Sequence, residues 1–177
     1  QRQQFDEALA DYDRVVELSA NLSFGYERRG ALYFKMGRFG ESIQDFDRAI
    51  ELEPGLEKNH WQRGLSYYYA GRYQDGIDQF ELSFKTVNPA DYENGIWHFL
   101  CVARKESIEK ARKSILAIRG DTRPGMEQIY DLYRGRGTVA EVMRAMESGY
   151  PNARELNNRL FYAHLYIGLL EDVSADT

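Results

Sequence analysis

The chain has 177 residues and a formal net charge of −5, and this acidic balance argues against binding a nucleic-acid backbone, which requires clustered basic side chains. Hydrophobic residues make up 43% and aromatic residues 14% of the sequence, which predicts a folded core rather than a disordered chain. No apolar stretch approaches the roughly 20 residues that a helix needs to cross a bilayer, so no transmembrane segment is predicted.

Three stretches of the first half come into register when the sequence is shifted against itself by 34 residues. In each stretch a large aromatic residue is followed by a small, an aliphatic, a second aromatic and an acidic residue. The aligned sets are Phe5, Phe39 and Tyr73; Ala8, Ser42 and Gly76; Leu9, Ile43 and Ile77; Tyr12, Phe46 and Phe80; and Asp13, Asp47 and Glu81. A period of this length indicates stacked helical hairpins.

Within each period the residues closely resemble the tetratricopeptide repeat. The positions that carry the resemblance are Tyr26, Gly30, Tyr33, Ser42, Phe46, Ala49 and Pro54 in residues 23–56, and Gly64, Tyr67, Gly76, Phe80 and Ser83 in residues 57–90. Residues 1–22 supply only the second helix of an earlier repeat, so repeats are predicted over residues 1–89. The resemblance implies an all-α fold, a right-handed helical solenoid with one concave face.

The small residues of the pattern have a physical explanation. Gly30 and Gly64 fall in the middle of predicted helices, where glycine costs about 1 kcal/mol relative to alanine. That cost is tolerable where a neighbouring helix packs against the bare backbone. Pro54 is expected to end a repeat, because proline cannot continue a helix. The acidic pairs Asp45/Asp47 and Asp75/Asp78 are expected to face solvent.

After residue 90 the period fades and shorter helical patterns follow. Asp91 is expected to cap a helix that reaches about Lys105, and a second helix is predicted from about Ser107 to Ile118. The stretch from Gly120 to Pro124 predicts a turn, with Pro124 in the first turn of the next helix. That helix, which carries Ile129, Leu132 and Tyr133, is expected to end at Gly135 or Gly137.

Two capping boxes begin the last helices. Thr138 with Glu141 predicts a helix over about 138–148, and Asn152 with Glu155 predicts one over about 153–169. Ala163 and Tyr166 repeat the spacing of Gly64 and Tyr67, so this helix looks like the first of another repeat. We therefore expect the solenoid to continue over residues 90–177 as irregular, shortened helix pairs, and beyond both ends of the sequence.

The order of these elements also resembles the bacterial envelope lipoprotein adaptors of the Nlp type. The resemblance lies in tetratricopeptide units followed by a tryptophan helix at Trp97, shortened helices and a helix with Phe161 and Tyr162. It implies a scaffold that docks proteases and cell-wall hydrolases in the bacterial cell envelope, often as a dimer. The lipid-carrying cysteine of that family has no counterpart in the sequence, which leaves the cytoplasm as the alternative location.

The tetratricopeptide resemblance implies that the first helix of each repeat lines the concave groove. The implied positions are Phe24, Glu27, Ala31, Phe34, Lys35, Lys58, Trp61, Leu65, Tyr68 and Tyr69, with Arg28 and Gln62 beside them. Because Tyr67, Tyr68 and Tyr69 cannot all face one core, Tyr68 and Tyr69 are predicted to point into the groove near Trp61. Exposed aromatic residues are typical of binding hot spots. The alternative is that following helices cover Trp61 and Tyr68.

The groove positions do not predict capture of a partner's terminal carboxylate. Glu27 and Ala31 occupy the positions of the basic and asparagine side chains that hold such a group, and Lys58 alone is insufficient. Recognition of a helix or an extended peptide by aromatic and mixed-charge side chains is favoured instead.

No catalytic residue, metal ligand or cofactor is predicted. His60, His98 and His164 are too scattered to form a metal site, and His60 occupies a repeat-core position. Phosphate loops, HExxH and GxSxG are absent. Cys101 is the only cysteine, and with His98 three residues earlier it would give a thiol-dependent hydrolase, for which no third residue or oxyanion donor is found.

The predicted function is therefore a non-enzymatic scaffold or adaptor that binds a partner protein or peptide. The alternatives are a homodimerisation module and, less favoured, the hydrolase around Cys101.

Overall fold

The computed structural model describes residues 2–175, with side chains from residue 4 onward. Every regular element in this range is helical, which confirms the all-α class. The helices are α1 (Arg2–Leu18), α2 (Ser23–Lys35), α3 (Phe39–Leu52), a 3-10 helix (Pro54–Asn59), α4 (Trp61–Tyr69), α5 (Tyr73–Thr86), α6 (Tyr92–Lys105), α7 (Ile108–Lys113), α8 (Met126–Tyr133), α9 (Val139–Glu147) and α10 (Ala153–Ala175). The chain divides into two compact units after Ser83, ahead of the boundary predicted at residue 89.

Helices of the first unit pack in chain order, α1 on α2, α2 on α3 and α3 on α4, as in a helical solenoid. Helix α3 shows why, because its buried residues Ser42, Ile43, Phe46 and Ala49 recur at the spacing of one helical face. Ser83 of α5 is likewise buried, whereas Tyr26 is half-buried and Pro54 is exposed in the 3-10 helix. The helix α3 ends at Leu52, two residues before Pro54, as predicted.

The two mid-helix glycines make the close approach that the sequence predicted. A Cβ atom on Gly30 would lie 2.8 Å from the ring of Phe46, and one on Gly64 would lie 2.6 Å from the ring of Phe80. Distances this short would force the ring to move, so only glycine fits without displacing the second helix of the hairpin. The small residue Ser42 plays a similar part, since its hydroxyl hydrogen-bonds to that of Ser66 at 3.0 Å.

Asp45 is buried, so the expectation that it faces solvent was wrong. Its carboxylate accepts two hydrogen bonds from Arg29, which also donates to Asp13 of α1 at 2.8 Å. The same arrangement recurs one repeat later, where Arg63 donates to Asp47 at 3.0 Å and to Gln79 at 2.9 Å. A charged side chain tolerates burial when it is paired and hydrogen-bonded in this way.

Helix α6 is the central element of the second unit. Asp91 caps it, accepting a hydrogen bond from the Glu93 amide at 3.1 Å, as the sequence predicted. Almost all of α6 is buried, and it packs against α7, α8 and α10. Helix α10 also packs against α8 and α9, and the Tyr133 hydroxyl donates to the Tyr166 carbonyl at 2.8 Å. In the second unit the last helix, α10, therefore packs against α6, the first helix that lies wholly within the unit.

The helix predicted to reach Ile118 ends instead at Lys113, and residues 114–120 are irregular. Side chains of α8 and Arg134 satisfy two carbonyl groups of this segment. The Tyr130 hydroxyl donates to Leu116 at 2.8 Å, and Arg134 donates to Ile118 at 3.0 Å. Ile118 is buried although it is not helical.

Pro124 lies outside the next helix, contrary to prediction. Helix α8 starts at Met126, after Gly125, which has a φ of 79°. That left-handed conformation favours glycine and breaks the helical geometry between Pro124 and Met126.

The last two helices begin where the sequence predicted. The Thr138 hydroxyl accepts from the Glu141 amide at 3.3 Å, and the Asn152 side chain accepts from the Glu155 amide at 3.0 Å. Helix α10 continues to Ala175, beyond the predicted end near residue 169.

Candidate functional site

Residues predicted to line the groove lie on α2, on α4 and, for Lys58, in the 3-10 helix that precedes α4. At one end Glu27 of α2 and Lys58, Trp61 and Gln62 line one recess of about 330 Å³. At the other end the rings of Phe34 and Tyr69 lie 6.0 Å apart. We call this surface the α2/α4 face, and it comprises Phe24, Glu27, Arg28, Ala31, Phe34, Lys35, Lys58, Trp61, Gln62 and Tyr69.

Three aromatic side chains of the α2/α4 face are well exposed, namely Phe24 at 56%, Trp61 at 55% and Tyr69 at 44%. Tyr68 and Leu65 are only 7% exposed, so the expectation that they line an open groove was wrong. The Tyr68 ring packs 5.2 Å from Tyr69 and 5.9 Å from Tyr73. The alternative prediction was that both Trp61 and Tyr68 are covered, and of these two residues only Tyr68 is buried.

An aromatic cluster forms one end of the α2/α4 face and includes Phe39, which sequence reasoning did not assign to the site. The Phe39 ring stacks on Tyr69 at 5.1 Å and meets Phe34 edge-on at 5.6 Å. Burial within this cluster raises the pKa of Tyr69. The available signal was the alignment of Phe39 with Phe5 and Tyr73, which places an aromatic residue at the start of each second helix.

His60 forms the floor of the recess. Its Nδ1 atom accepts from the Arg63 amide at 3.3 Å and so caps α4, while its ring lies 4.3 Å from that of Phe46. Burial, with a smaller contribution from Arg63, lowers the pKa of His60 to about 4, so the ring is neutral at pH 7. The single proton is then on Nε2, which has no hydrogen-bond partner and lies 4.0 Å from the Glu27 carboxylate.

Cys101 does not have the environment of a catalytic nucleophile. It is fully buried on α6, and burial raises the pKa of its thiol to about 12. A reactive cysteine needs the opposite, an accessible thiol with a lowered pKa. His98 is also buried. Among the described residues no group of His, Cys, Asp and Glu is arranged to hold a metal ion.

A concavity of about 620 Å³ lies in the second unit rather than on the α2/α4 face. The irregular segment 115–121 lines one side, and Asp131 and Arg134, which pair at 3.0 Å, line the other. Arg134 also donates to the Ile118 carbonyl at 3.0 Å, and the residues that line this concavity include no serine, threonine, cysteine, histidine or lysine that could act as a nucleophile beside a base.

Comparison with known families gives one finding. Residues 23–56, which form the α2–α3 hairpin and the start of the 3-10 helix, match the family model for the tetratricopeptide repeat. These residues are similar to one tetratricopeptide repeat. The matched range coincides with the first complete repeat predicted from the 34-residue period. Tetratricopeptide repeats are generally protein-interaction modules without catalytic activity.

Comparison with curated proteins finds no match for the chain. Within residues 2–175, none of the helices combines the length and the apolar character that crossing a membrane requires.

Proposed function

We propose that the chain is a non-enzymatic adaptor that binds a segment of a partner protein on the α2/α4 face. The observation that carries this proposal is the exposure of Phe24 and Trp61, each more than half accessible, on the first helices of two successive repeats. Exposed aromatic side chains leave apolar area in water, which costs about 25 cal/mol per Å² until a partner covers it. Tryptophan and tyrosine are also enriched among residues that dominate binding energy.

The recess beside Trp61 also supports the α2/α4 face as the surface that binds a partner. It is open and lined by side chains of both signs, Glu27 and Lys58, and by the side-chain amide of Gln62. A pocket of a few hundred Å³ with a few convergent polar groups has the general form of a recognition site. A side chain of the partner would enter this recess while the aromatic rings of the face contact its neighbours.

A random-peptide phage library selected on the immobilised chain tests the proposal. Peptides recovered this way are expected to bind the free chain, as measured by fluorescence anisotropy. The double variant Phe24→Ala, Trp61→Ala is expected to weaken them by roughly tenfold or more, because truncated hot spots cost 1 kcal/mol and upward. The matched control is Phe161→Ala, which removes a ring that is 61% exposed on α10. Equal binding by the double variant would place the site elsewhere.

The narrower resemblance to Nlp-type envelope adaptors gives a more specific proposal, in which the partners are envelope hydrolases and the chain is a dimer. In the structure Trp97 is buried on α6 and Phe161 is exposed on α10. Light scattering of the purified chain tests the dimer. A monomer mass that does not change with concentration would remove both the dimer and the alternative of a homodimerisation module.

A further inference from the structure

Basic side chains of the first unit divide into two groups according to their partners. Among residues 4–83, six arginines each form an ion pair with a carboxylate, namely Arg14, Arg29, Arg38, Arg48, Arg63 and Arg72. The remaining basic residues are Arg28, Lys35 and Lys58, and none of them forms an ion pair with any described residue. All three are exposed, and all three belong to the α2/α4 face.

This division does not reflect a shortage of acidic groups, because acidic residues outnumber basic ones between residues 4 and 83. The α2/α4 face has a single carboxylate, Glu27, which lies 4.0 Å from the Nε2 atom of His60. The face is therefore locally basic within a unit that is acidic as a whole. Exposed cations that have no carboxylate partner within the protein are available to pair with the opposite charge of a binding partner.

The unpaired cations share the α2/α4 face with aromatic residues. Phe24, Arg28 and Lys35 are spaced by four and seven residues, so they lie along one side of α2. The Arg28 guanidinium lies over the Phe24 ring at 5.1 Å. One repeat later the positions of Phe24 and Lys35 are taken by Lys58 and Tyr69, so at these two positions an aromatic residue in one repeat aligns with a cation in the other.

We propose that the segment bound on the α2/α4 face is acidic, with Asp and Glu side chains that pair with Arg28, Lys35 and Lys58. Apolar or aromatic side chains of the same segment then pack on the exposed rings of the face. This inference rests on the proposed function, and it specifies the chemistry of the partner. The acidic groups are internal side chains rather than a chain terminus, because Glu27 and Ala31 occupy the positions that would hold a terminal carboxylate.

A designed pair of peptides tests the charge of the partner directly. The first alternates Glu with Trp and Leu and is blocked at both ends, so that it has no terminal carboxylate, and the second has Lys in place of every Glu. By fluorescence anisotropy, the acidic peptide is expected to bind the chain at least about tenfold more tightly than the basic one. Its affinity is expected to fall as salt screens the ion pairs.

Charge-matched variants locate the contact. The triple variant Arg28→Gln, Lys35→Gln, Lys58→Gln is expected to weaken the acidic peptide by roughly tenfold, since exposed ion pairs contribute ~0.2–1 kcal/mol each. The control Arg14→Gln, Arg48→Gln, Arg72→Gln removes the same net charge from arginines that are already paired, and is expected to leave the affinity within about twofold.

Several results would overturn the inference. One is equal binding of the acidic and the basic peptide, and another is equal weakening of the acidic peptide by the two triple variants. A third is displacement of the acidic peptide by a single-stranded oligonucleotide at similar concentration, which would indicate general attraction of polyanions. If library peptides that depend on Phe24 and Trp61 proved neutral or basic, the inference would fail and the proposed function would stand. If library peptides did not depend on those rings, the proposed function itself would fail.

Discussion

Arg29 binds both carboxylate oxygens of Asp45, through Nε at 2.7 Å and Nη2 at 2.8 Å. Its remaining nitrogen reaches Asp13, so that one guanidinium joins α1, α2 and α3. Arg63, 34 residues later, joins α3, α4 and α5 through Asp47 and Gln79. Because the fork of a guanidinium fixes the geometry of its partners, these contacts orient each hairpin against the previous one.

Loss of the Asp45 carboxylate is expected to be costly. The side chains of Asp45 and Arg29 are only 7% and 18% exposed, so Asp45→Ala leaves a largely buried cation without its main partner. We expect a loss of about 2 to 4 kcal/mol in the free energy of unfolding. The control Asp75→Ala breaks an exposed Arg–Asp pair and should cost about 1 kcal/mol or less. Urea unfolding followed by circular dichroism measures both, and equal losses would show that the buried pair has no special role.

Alanine is expected to have opposite effects at two helical glycines. A Cβ at Gly64 would lie 2.6 Å from Phe80, so Gly64→Ala should destabilise the chain by about 1 to 3 kcal/mol through overpacking, and Gly64→Leu by more. At Gly168 of α10 nothing lies within 4 Å, so Gly168→Ala should stabilise the helix by up to about 1 kcal/mol. Thermal unfolding compares the variants. A Gly64→Ala chain that melts at or above the wild-type temperature would contradict the packing found for this hairpin.

Alanine variants of Tyr68 and Trp61 are expected to affect different properties, the stability of the fold at Tyr68 and peptide binding at Trp61. Tyr68→Ala removes a buried ring from the aromatic cluster and should cost about 3 kcal/mol or more of unfolding free energy. Trp61→Ala removes an exposed ring and should change stability by about 0.5 kcal/mol or less. In peptide binding we expect the opposite order. Relative to the stability that each variant loses, Trp61→Ala is expected to weaken peptide binding more than Tyr68→Ala does. If Trp61→Ala instead lost more unfolding free energy than Tyr68→Ala in urea, Trp61 would be the covered residue.

His60 should make the stability of the chain depend on pH. Its pKa of about 4 in the folded chain lies below the ordinary value of 6.5, so between these values the unfolded chain binds the proton and the folded chain does not. Stability from this source is complete above pH 6.5 and falls as the pH drops toward 4. From pH 7.5 to 5.5 we expect a loss of about 1 kcal/mol.

The variant His60→Asn provides the control for this pH effect. Asparagine can cap α4 in place of the imidazole but does not titrate, so the same pH change should cost it about 1 kcal/mol less than the wild type. Parallel urea-unfolding curves at the two pH values measure the difference. An equal loss in both chains would assign the pH dependence to other groups.

The predictable part of the fold was the part in which local pattern and tertiary packing agree. A close helix contact at Gly30 and Gly64 was predicted because glycine in the middle of a helix is costly without one. The rings that make this contact, Phe46 and Phe80, were identified only by the structure. The spacing of Arg29 and Arg63 was also present in the 34-residue period, but arginine is common on surfaces and the pairing was not inferred. In the second half, helix α7 was predicted too long because Ala111, Ile115 and Leu116 continue the helical spacing that begins at Ile108. The bonds from Tyr130 and Arg134 that replace the helix come from residues distant in sequence.

The sequence by itself determined that the first half of the chain is built of helical hairpins with a 34-residue period, and it predicted that α2 and α4 present their residues along one side. Both follow from periodicity, which is a local property of the chain. Only the tertiary structure decided which residues of that side remain accessible, with Tyr68 covered and Trp61 exposed. It also decided which cations are already paired, leaving Arg28, Lys35 and Lys58 without carboxylates. Exposure and ion pairing depend on neighbours far away in sequence, so no periodic pattern could determine them.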